Sequence, residues 1–360
     1  MTLHDRLSRA WLKNGWWAHL ASPLAWLAGR IVQAKRQAYL RGRRQAQHLP
    51  VPVIVVGNIF VGGTGKTPFL MSLVEALQAR GWQPGVISRG YGVNVGAVPR
   101  VGKGQLDPRL FGDEPAMIGR RCQVPVAVHP LRPEAARQLL ARYPGVDLLI
   151  SDDGLQHLAL GRDLEIAVQD LRGVGNGRLL PAGPLREPAS RLNEVDALIT
   201  NVGAASPTQA ALPFPPPAGV RHTTMHLRIT DVTHVSSQQR APLAAVTGGR
   251  QVLAAAAIGH PERFFATLRQ AGVELADTLS LPDHFSFERS PFEETKAQII
   301  LITDKDAVKC GRLNDDRLWS VSVSAQLADP TFFDWLEQQL HGCPTAHQSR
   351  VPPLQGTAAP

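Results

Sequence analysis

The stretch VPVIVVGNIFVGGTGKTPFLMSLVEALQARG, residues 51–81, constrains the fold more than any other part of the chain. A short β-branched run ends in glycines, and a run with proline in its first turn and glycine at its end follows, which predicts a strand, a loop and a helix. That order sets backbone N–H groups at a helix N-terminus, where they can wrap a phosphate. In GGTGKT, Gly62, Gly63, Thr64 and Gly65 form the loop, Lys66 would contact β and γ phosphates, and the Thr67 hydroxyl would help hold Mg²⁺. The strict pattern GxxxxGK[ST] would place a glycine at position 60, where this chain has Phe60. The deviant loop KGGxGK[ST] of another ATPase class would place lysine at position 61, which is Val61 here.

Further strand and helix signals alternate after this unit. QPGVISRGYG, VPVAVH, VDLLISDDG, LEIAVQD and VDALITN read as strands, and GDEPAMIGRRC and PEAARQLLARYPG as helices. The alternation predicts an α/β fold like that of P-loop NTPases, a mainly parallel sheet with helices on both faces. SPTQAALPFPPPAG suits a linker. After it come the alternating runs TMHLRIT and PLAAVTG, a helix over GHPERFFATLRQAG, and strands over AQIILITDKD and LWSVSVSA. The expected organisation is an N-terminal basic, Trp-rich helical segment over 1–48, a P-loop core over 49–220, a smaller α/β domain over 221–342 and a disordered tail over 343–360.

Composition matters mainly through where the charge sits. The chain of 360 residues carries a formal net charge of +8. Residues 1–50 alone hold nine Lys and Arg against one acid, Asp5, so the remainder is neutral. That excludes a basic nucleic-acid cleft spread over the fold and favours one patch facing phosphates or anionic headgroups. The same segment contains Trp11, Trp16, Trp17, Leu20, Leu24, Trp26, Leu27 and Ile31. Aromatic rings beside cations suit a helix lying in a membrane interface, and a helical hairpin packed on the protein's own core, broken near Pro23, is the alternative. The apolar run 16–32 is short for a spanning helix and lacks a cleavable signal pattern. Three widely spaced cysteines imply a reducing compartment and no disulfide framework.

Four other stretches carry chemistry. In SDDGLQH, Asp152 and Asp153 follow an apolar strand, an arrangement that holds Mg²⁺ or its waters; a polar turn after the strand is the alternative. Paired carboxylates are costly unless a cation neutralises them. His157 reads as a structural hydrogen-bonder. In FGDEP, Asp113 and Glu114 open a helix, so either capping or catalysis accounts for Asp113. GRLLPAGPLREP is a rigid loop presenting Arg178, Arg186 and Glu187, as a substrate contact or a surface turn. His260 in GHPERFF, Asp283 and His284 in LPDHFSF, and Asp304, Lys305 and Asp306 in ITDKDAVK are candidates for proton transfer. No zinc-like ligand spacing is present.

Taken in order, VGNIFVGGTGKTP, SRGYG, GDEP, SDDGLQH, LLPAGPLREP, GHPERFF, PDHFSF and TDKDAVK resemble the tetraacyldisaccharide 4′-kinase family of lipid A biosynthesis, from about residue 10 to residue 340. The resemblance implies a monotopic P-loop kinase at the cytoplasmic face of the bacterial inner membrane. It would move the γ-phosphate of ATP to the 4′-hydroxyl of tetraacyldisaccharide 1-phosphate, giving lipid IVA. It assigns Thr64, Lys66 and Thr67 to ATP phosphates and Mg²⁺, Asp113 to the catalytic base with His284 as partner, and Asp152 and Asp153 to Mg²⁺. Tyr91, Glu114, Arg186 and Glu187 would line the site, and His260 is the other candidate partner for Asp113. Phe60 departs from the family pattern, which has a small hydroxyl residue there. We expect a monomer that binds no nucleic acid. A membrane-associated ATPase switch of the partition type is the competing function, against which stand Val61 and the loop at 177–188. A soluble small-molecule kinase would leave the Trp-rich segment unexplained.

Overall fold

The computed structural model describes residues 15–203 and 216–344, together with Trp11 and Leu212. Most of the expected tail and the first residues of the basic segment lie outside this range. Among the described residues the strands are β1 (Val53–Gly57), β2 (Pro84–Ser88), β3 (Arg100–Lys103), β4 (Pro125–Val128), β5 (Leu148–Asp152), β6 (Leu164–Asp170) and β7 (Ala197–Asn201). They continue with β8 (Arg221–His234), β9 (Arg240–Ala241), β10 (Val252–Ala256), β11 (Leu275–Ser280), β12 (Ile299–Thr303) and β13 (Leu318–Leu327). All belong to one sheet in the order β11-β10-β12-β13-β8-β7-β6-β1-β5-β2-β4-β3, with β9 attached to β8.

The sheet consists of two parallel blocks of opposite direction. From β8 to β4 every neighbouring pair is parallel, as is every pair from β11 to β13. The blocks join where β13 meets β8 antiparallel. Long β8 serves both, pairing with β7 over Arg221–Met225 and with β13 over Met225–His234. The strands of the first block are fully buried runs such as VIVVG, LLISD and ALITN, as parallel strands covered on both faces must be.

Two layers of helices supply that cover. One face of the first block packs on the helices Lys66–Ala79, Asp113–Cys122 and Phe332–Gly342. The opposite face packs on the helix Arg132–Arg142 and on Leu155, Leu185 and Leu192. The helix Phe332–Gly342 comes after β13 yet returns to the first block, where Phe332 lies edge-on to Phe69 at 6.3 Å. The helices Pro261–Gln270 and Asp304–Cys310 cover the two faces of the second block.

One local expectation is corrected. PLAAVTG is not an alternating run; Leu243–Thr247 is a short helix after Pro242. VLAAA, which carried no assignment from the sequence, is the fully buried strand β10 although alanine favours helix. Small side chains suit it because Phe264 and Phe265 fill one of its faces, Phe287 and Phe292 the other, and packing overrides propensity.

The N-terminal segment forms the helices Trp16–Leu20 and Ser22–Leu40, separated at Ala21, with Pro23 in the first turn of the second. Their inner side is made of small residues. Ala18 and Ala25 are buried, and a Cβ on Gly29 would come within 2.9 Å of Leu179. Polar tethers complete the seat: Arg178 bonds the Ser22 hydroxyl, Lys35 donates to the Gln156 carbonyl at 3.1 Å, and Arg36 pairs with Glu194. The large apolar residues face outward, with Trp16, Trp17 and Trp26 at 67%, 56% and 68% exposure and Leu20, Leu24, Leu27 and Ile31 similarly open. They are therefore not the apolar stripe of a hairpin packed on the core. Large apolar side chains gathered in the open on one face make this a candidate interaction surface. No described helix is long and apolar enough to cross a membrane.

Candidate active site

The register of the first block brings the phosphate loop and the acidic turn together. Val56 of β1 lies opposite Asp152 of β5, so the glycine loop and Asp152–Asp153 leave the sheet side by side at strand C-terminal ends, where α/β sheets bind ligands. The loop is built to one shape. Gly65 holds φ 92°, and a Cβ there would lie 2.4 Å from Asn201 Nδ2 and 3.0 Å from Met225. The Asn201 amide donates to the Thr64 carbonyl at 3.2 Å. Asn58 spans the loop from within, donating to Gly62 O and Thr64 Oγ1, each at 3.3 Å. Its carbonyl oxygen accepts from Lys66 Nζ at 3.1 Å.

Phe60, the departure from the standard pattern, is a packing residue. Its backbone bridges to Leu185, its ring is 5% exposed, and the Arg172 guanidinium lies 4.4 Å over it. Arg172 also donates to the Gly63 carbonyl at 2.9 Å. The far side of the loop is thus held by an arginine stacked on an aromatic face.

Asp152 and Asp153 are neighbours with opposite environments. Asp153, at φ 49°, pairs with Lys66 at 2.5 Å and with Arg186 at 2.7 Å. Burial pushes its carboxyl up, but the Lys66 and Arg186 charges outweigh that and hold it down at about 2. Asp152 is buried, and its Oδ2 accepts from Ser88 at 3.1 Å while its Oδ1 has no hydrogen-bond partner among the described residues. Burial, with the charge of Glu114 next, pushes its carboxyl up to about 7. A buried, orphaned carboxylate oxygen under pressure from a second acid fits a cation site. Among the described residues no three His, Cys, Asp or Glu side chains form a ready-made cage. That donor set suits Mg²⁺, which takes one or two carboxylates and completes its shell with phosphate and water.

Asp113 is the first residue of its helix, where the helix dipole favours a carboxylate. Gly112 before it holds φ 92°, and a Cβ there would sit 3.0 Å from the Tyr91 carbonyl. The second block reaches this carboxylate directly: His284 Nδ1 lies 3.0 Å from Asp113 Oδ2, across 171 residues of sequence. Lys309 Nζ is 3.4 Å from the same oxygen. Burial raises the Asp113 carboxyl, but the His284 hydrogen bond and the Lys309 charge outweigh it and leave it below its ordinary value. Both residues line a cavity of about 680 Å³ with Tyr91, Arg109, Lys309 and Arg312. The Tyr91 ring is 5.6 Å from the His284 ring.

The remaining sequence candidates fall in several places. Thr67 is half-buried in the first turn of its helix. Arg186 meets the acidic turn through Asp153. Glu187 is 4% exposed, accepts from Gln156 at 2.6 Å and faces Arg191 at 3.6 Å; Gln156 also donates to the Asn58 carbonyl. Glu187 therefore braces the loop through Gln156. Of the two candidate histidines the structure brings His284 to Asp113, while His260 sits at the start of the helix Pro261–Gln270. Burial pushes His157 down to about 4, with Arg132 and Lys35 adding to it. Sequence reasoning missed Asn58, Lys309 and the group Arg172–Asp170–Arg263, in which Arg263 of the second block reaches Asp170 at 3.0 Å. Only the spacing of Asp306 and Lys309, three apart on one helix face, offered a signal.

A family model described as tetraacyldisaccharide-1-P 4′-kinase matches residues 17–341, nearly the whole described chain. The chain belongs to the tetraacyldisaccharide 4′-kinase family. Within that family, a tetraacyldisaccharide 4′-kinase of Bordetella parapertussis is 56% identical over 342 residues, covering 94% of this chain and 97% of that protein. One from Herminiimonas arsenicoxydans is 46% identical over 356 residues, covering 95% and 97%. Among solved structures, the "apo" form of LpxK from Aquifex aeolicus, crystallised in complex with ATP, aligns with a TM-score of 0.77 at 26% identity. The alignment covers 90% of this chain and 98% of that one.

Proposed function

We propose that this chain transfers the γ-phosphate of ATP to the 4′-hydroxyl of tetraacyldisaccharide 1-phosphate, giving lipid IVA. The observation that carries the reading is the Asp113–His284 contact, which sets a carboxylate held below its ordinary value at the wall of a cavity. Glu114, beside Asp113, lies close enough to Asp152 to act on its charge, which links the proposed base electrostatically to the acidic turn beside the phosphate loop. A partition-type switch would have no use for such a base.

The chemistry follows from those positions. The sugar oxygen attacks the γ-phosphorus as the bond to the bridging oxygen breaks, and ADP leaves with the electron pair. Asp113 takes the hydroxyl proton as the attack proceeds, with His284 fixing its orientation. Lys66, at the start of its helix, stabilises charge on the β and γ phosphates, and Gly62, Gly63, Thr64 and Gly65 offer backbone N–H groups. Thr67 and Asp152, with Asp153 beside them, would hold Mg²⁺, which supplies neutralisation of phosphate charge. Tyr91 and Arg186 flank the acceptor and the acidic turn.

The substrate's acyl chains stay in the bilayer, since exposing them costs about 0.8 kcal/mol per CH₂. The Trp-rich face of residues 16–31 would rest at the cytoplasmic surface of the inner membrane, with the exposed Arg30, Arg41, Arg43 and Arg44 on anionic headgroups. In this reading the protein works as a monomer, with residues 49–220 as the nucleotide half and 221–342 completing the base. The test is incubation with labelled ATP, Mg²⁺ and tetraacyldisaccharide 1-phosphate in detergent micelles. Label on the lipid is the expected result; label in inorganic phosphate alone contradicts the reading.

A further inference from the structure

We infer that Lys309 is a positioning residue for the acceptor-activating carboxylate: its ammonium holds Oδ2 of Asp113 from the opposite block of the sheet and leaves Oδ1 to take the hydroxyl proton. The inference rests on the phosphoryl-transfer reading above. Lys309 lies on the helix Asp304–Cys310, its side chain 8% exposed, with Nζ 3.4 Å from Asp113 Oδ2 and 3.4 Å from Asp306 Oδ1. The Phe287 ring closes another side, 5.3 Å from Nζ.

Asp306 draws that ammonium toward the second block by charge, as an ion pair at 3.4 Å without a hydrogen bond. It is fully buried, and its Oδ2 accepts from the Ala257 N–H at 3.0 Å and the Thr303 hydroxyl at 2.7 Å. These groups stand at the ends of β10 and β12, so the second block anchors the far side of Lys309. An ammonium removed from water needs paired charge, and Asp306 alone would satisfy a purely structural lysine. Here a second carboxylate shares it, and that carboxylate is the base.

The choice of oxygen is what gives the contact a role in the reaction. His284 Nδ1 and Lys309 Nζ both approach Oδ2. Among the described residues Oδ1 has no hydrogen-bond partner, and Asp113 and Lys309 both line the cavity. A carboxylate otherwise turns readily about its terminal torsion; two cationic or donor groups on one oxygen remove that freedom. Lys305 has a different task, pairing with Asp283 at 3.1 Å and approaching His284 Nε2 at 3.5 Å.

The test is steady-state kinetics of the full chain in micelles for the parent, Lys309→Met, Lys309→Arg and Asp306→Asn, with ATP affinity measured separately. Lys309→Met should lower kcat by about 100-fold, leave KM for both substrates and the Kd for ATP within about threefold, and be partly rescued by Lys309→Arg. Asp306→Asn, which keeps the shape but frees the ammonium, should lower kcat by about tenfold with the same KM pattern. It carries the test if the methionine variant does not fold. A kcat near that of the parent in either variant, an equal loss of ATP affinity, or no difference between arginine and methionine would overturn the inference. A parent chain that labels no lipid would instead count against the proposed reaction itself.

Discussion

In the block around β1, the groups that would meet ATP are held by their own surroundings: Asn58 ties Lys66 and Thr64, Asn201 ties the loop, and Arg186 ties Asp153. In the block around β10 and β12, His284 and Lys309 instead reach out of their own block to Asp113. The phosphate-binding groups are therefore held mainly within one block, with Arg263 of the other reaching Asp170 at 3.0 Å and the Gly63 carbonyl at 3.5 Å, whereas the proposed proton acceptor is positioned only when both blocks are in register. Nucleotide binding and acceptor activation should accordingly be separable by mutation.

The largest separation is expected at Asp113. Asp113→Asn should lower lipid phosphorylation by about 10²–10⁴-fold while ATP binding stays within about threefold, measured by label transfer and by calorimetry. Lys66→Ala should do the opposite, weakening ATP binding along with transfer, because its partners are the loop and Asp153. An Asp113 variant that lost ATP binding equally would break the comparison. A smaller effect confined to the membrane is expected from Trp16, Trp17 and Trp26 changed together to Ala. Liposome binding should fall at least tenfold, given about 25 cal/mol per Å² of apolar surface, with ATP affinity unchanged.

The smallest effect separates the blocks by pH. His157 follows β5 in the first block, and burial holds its folded value at about 4, below the unfolded value near 6.5. Below that unfolded value the unfolded chain binds the extra proton. Stability is then lost as pH falls from about 6.5 toward 4, by an amount of order 1–2 kcal/mol after discounting its partial exposure. His157→Gln should flatten the dependence of Tm over that window; an unchanged slope would place the acid sensitivity elsewhere.

How much was legible follows from the range of each interaction. The glycine loop, its helix and the acidic turn could be read because backbone geometry and nearby spacing determine them, and β1 and β5 then align through buried runs. The pairing of Asp113 with His284 spans 171 residues; family resemblance supplied it, and no local pattern does. Lys309 was passed over because a lysine on a short helix gains meaning only from the carboxylate that a distant loop brings to it. β10 was missed because alanines reveal nothing about phenylalanines packed on either side. Phe60 looked like a defect in a phosphate loop and proves to be the surface on which Arg172 rests while it holds Gly63.

The claim that the base is assembled across the two blocks is tested most directly by a double-mutant cycle on lipid phosphorylation with Asp113→Asn, His284→Ala and the double variant. Residues acting as one unit are non-additive. The double variant should be no more than about threefold slower than the worse single variant. Losses that multiply would mean that Asp113 and His284 act independently, and would contradict the account.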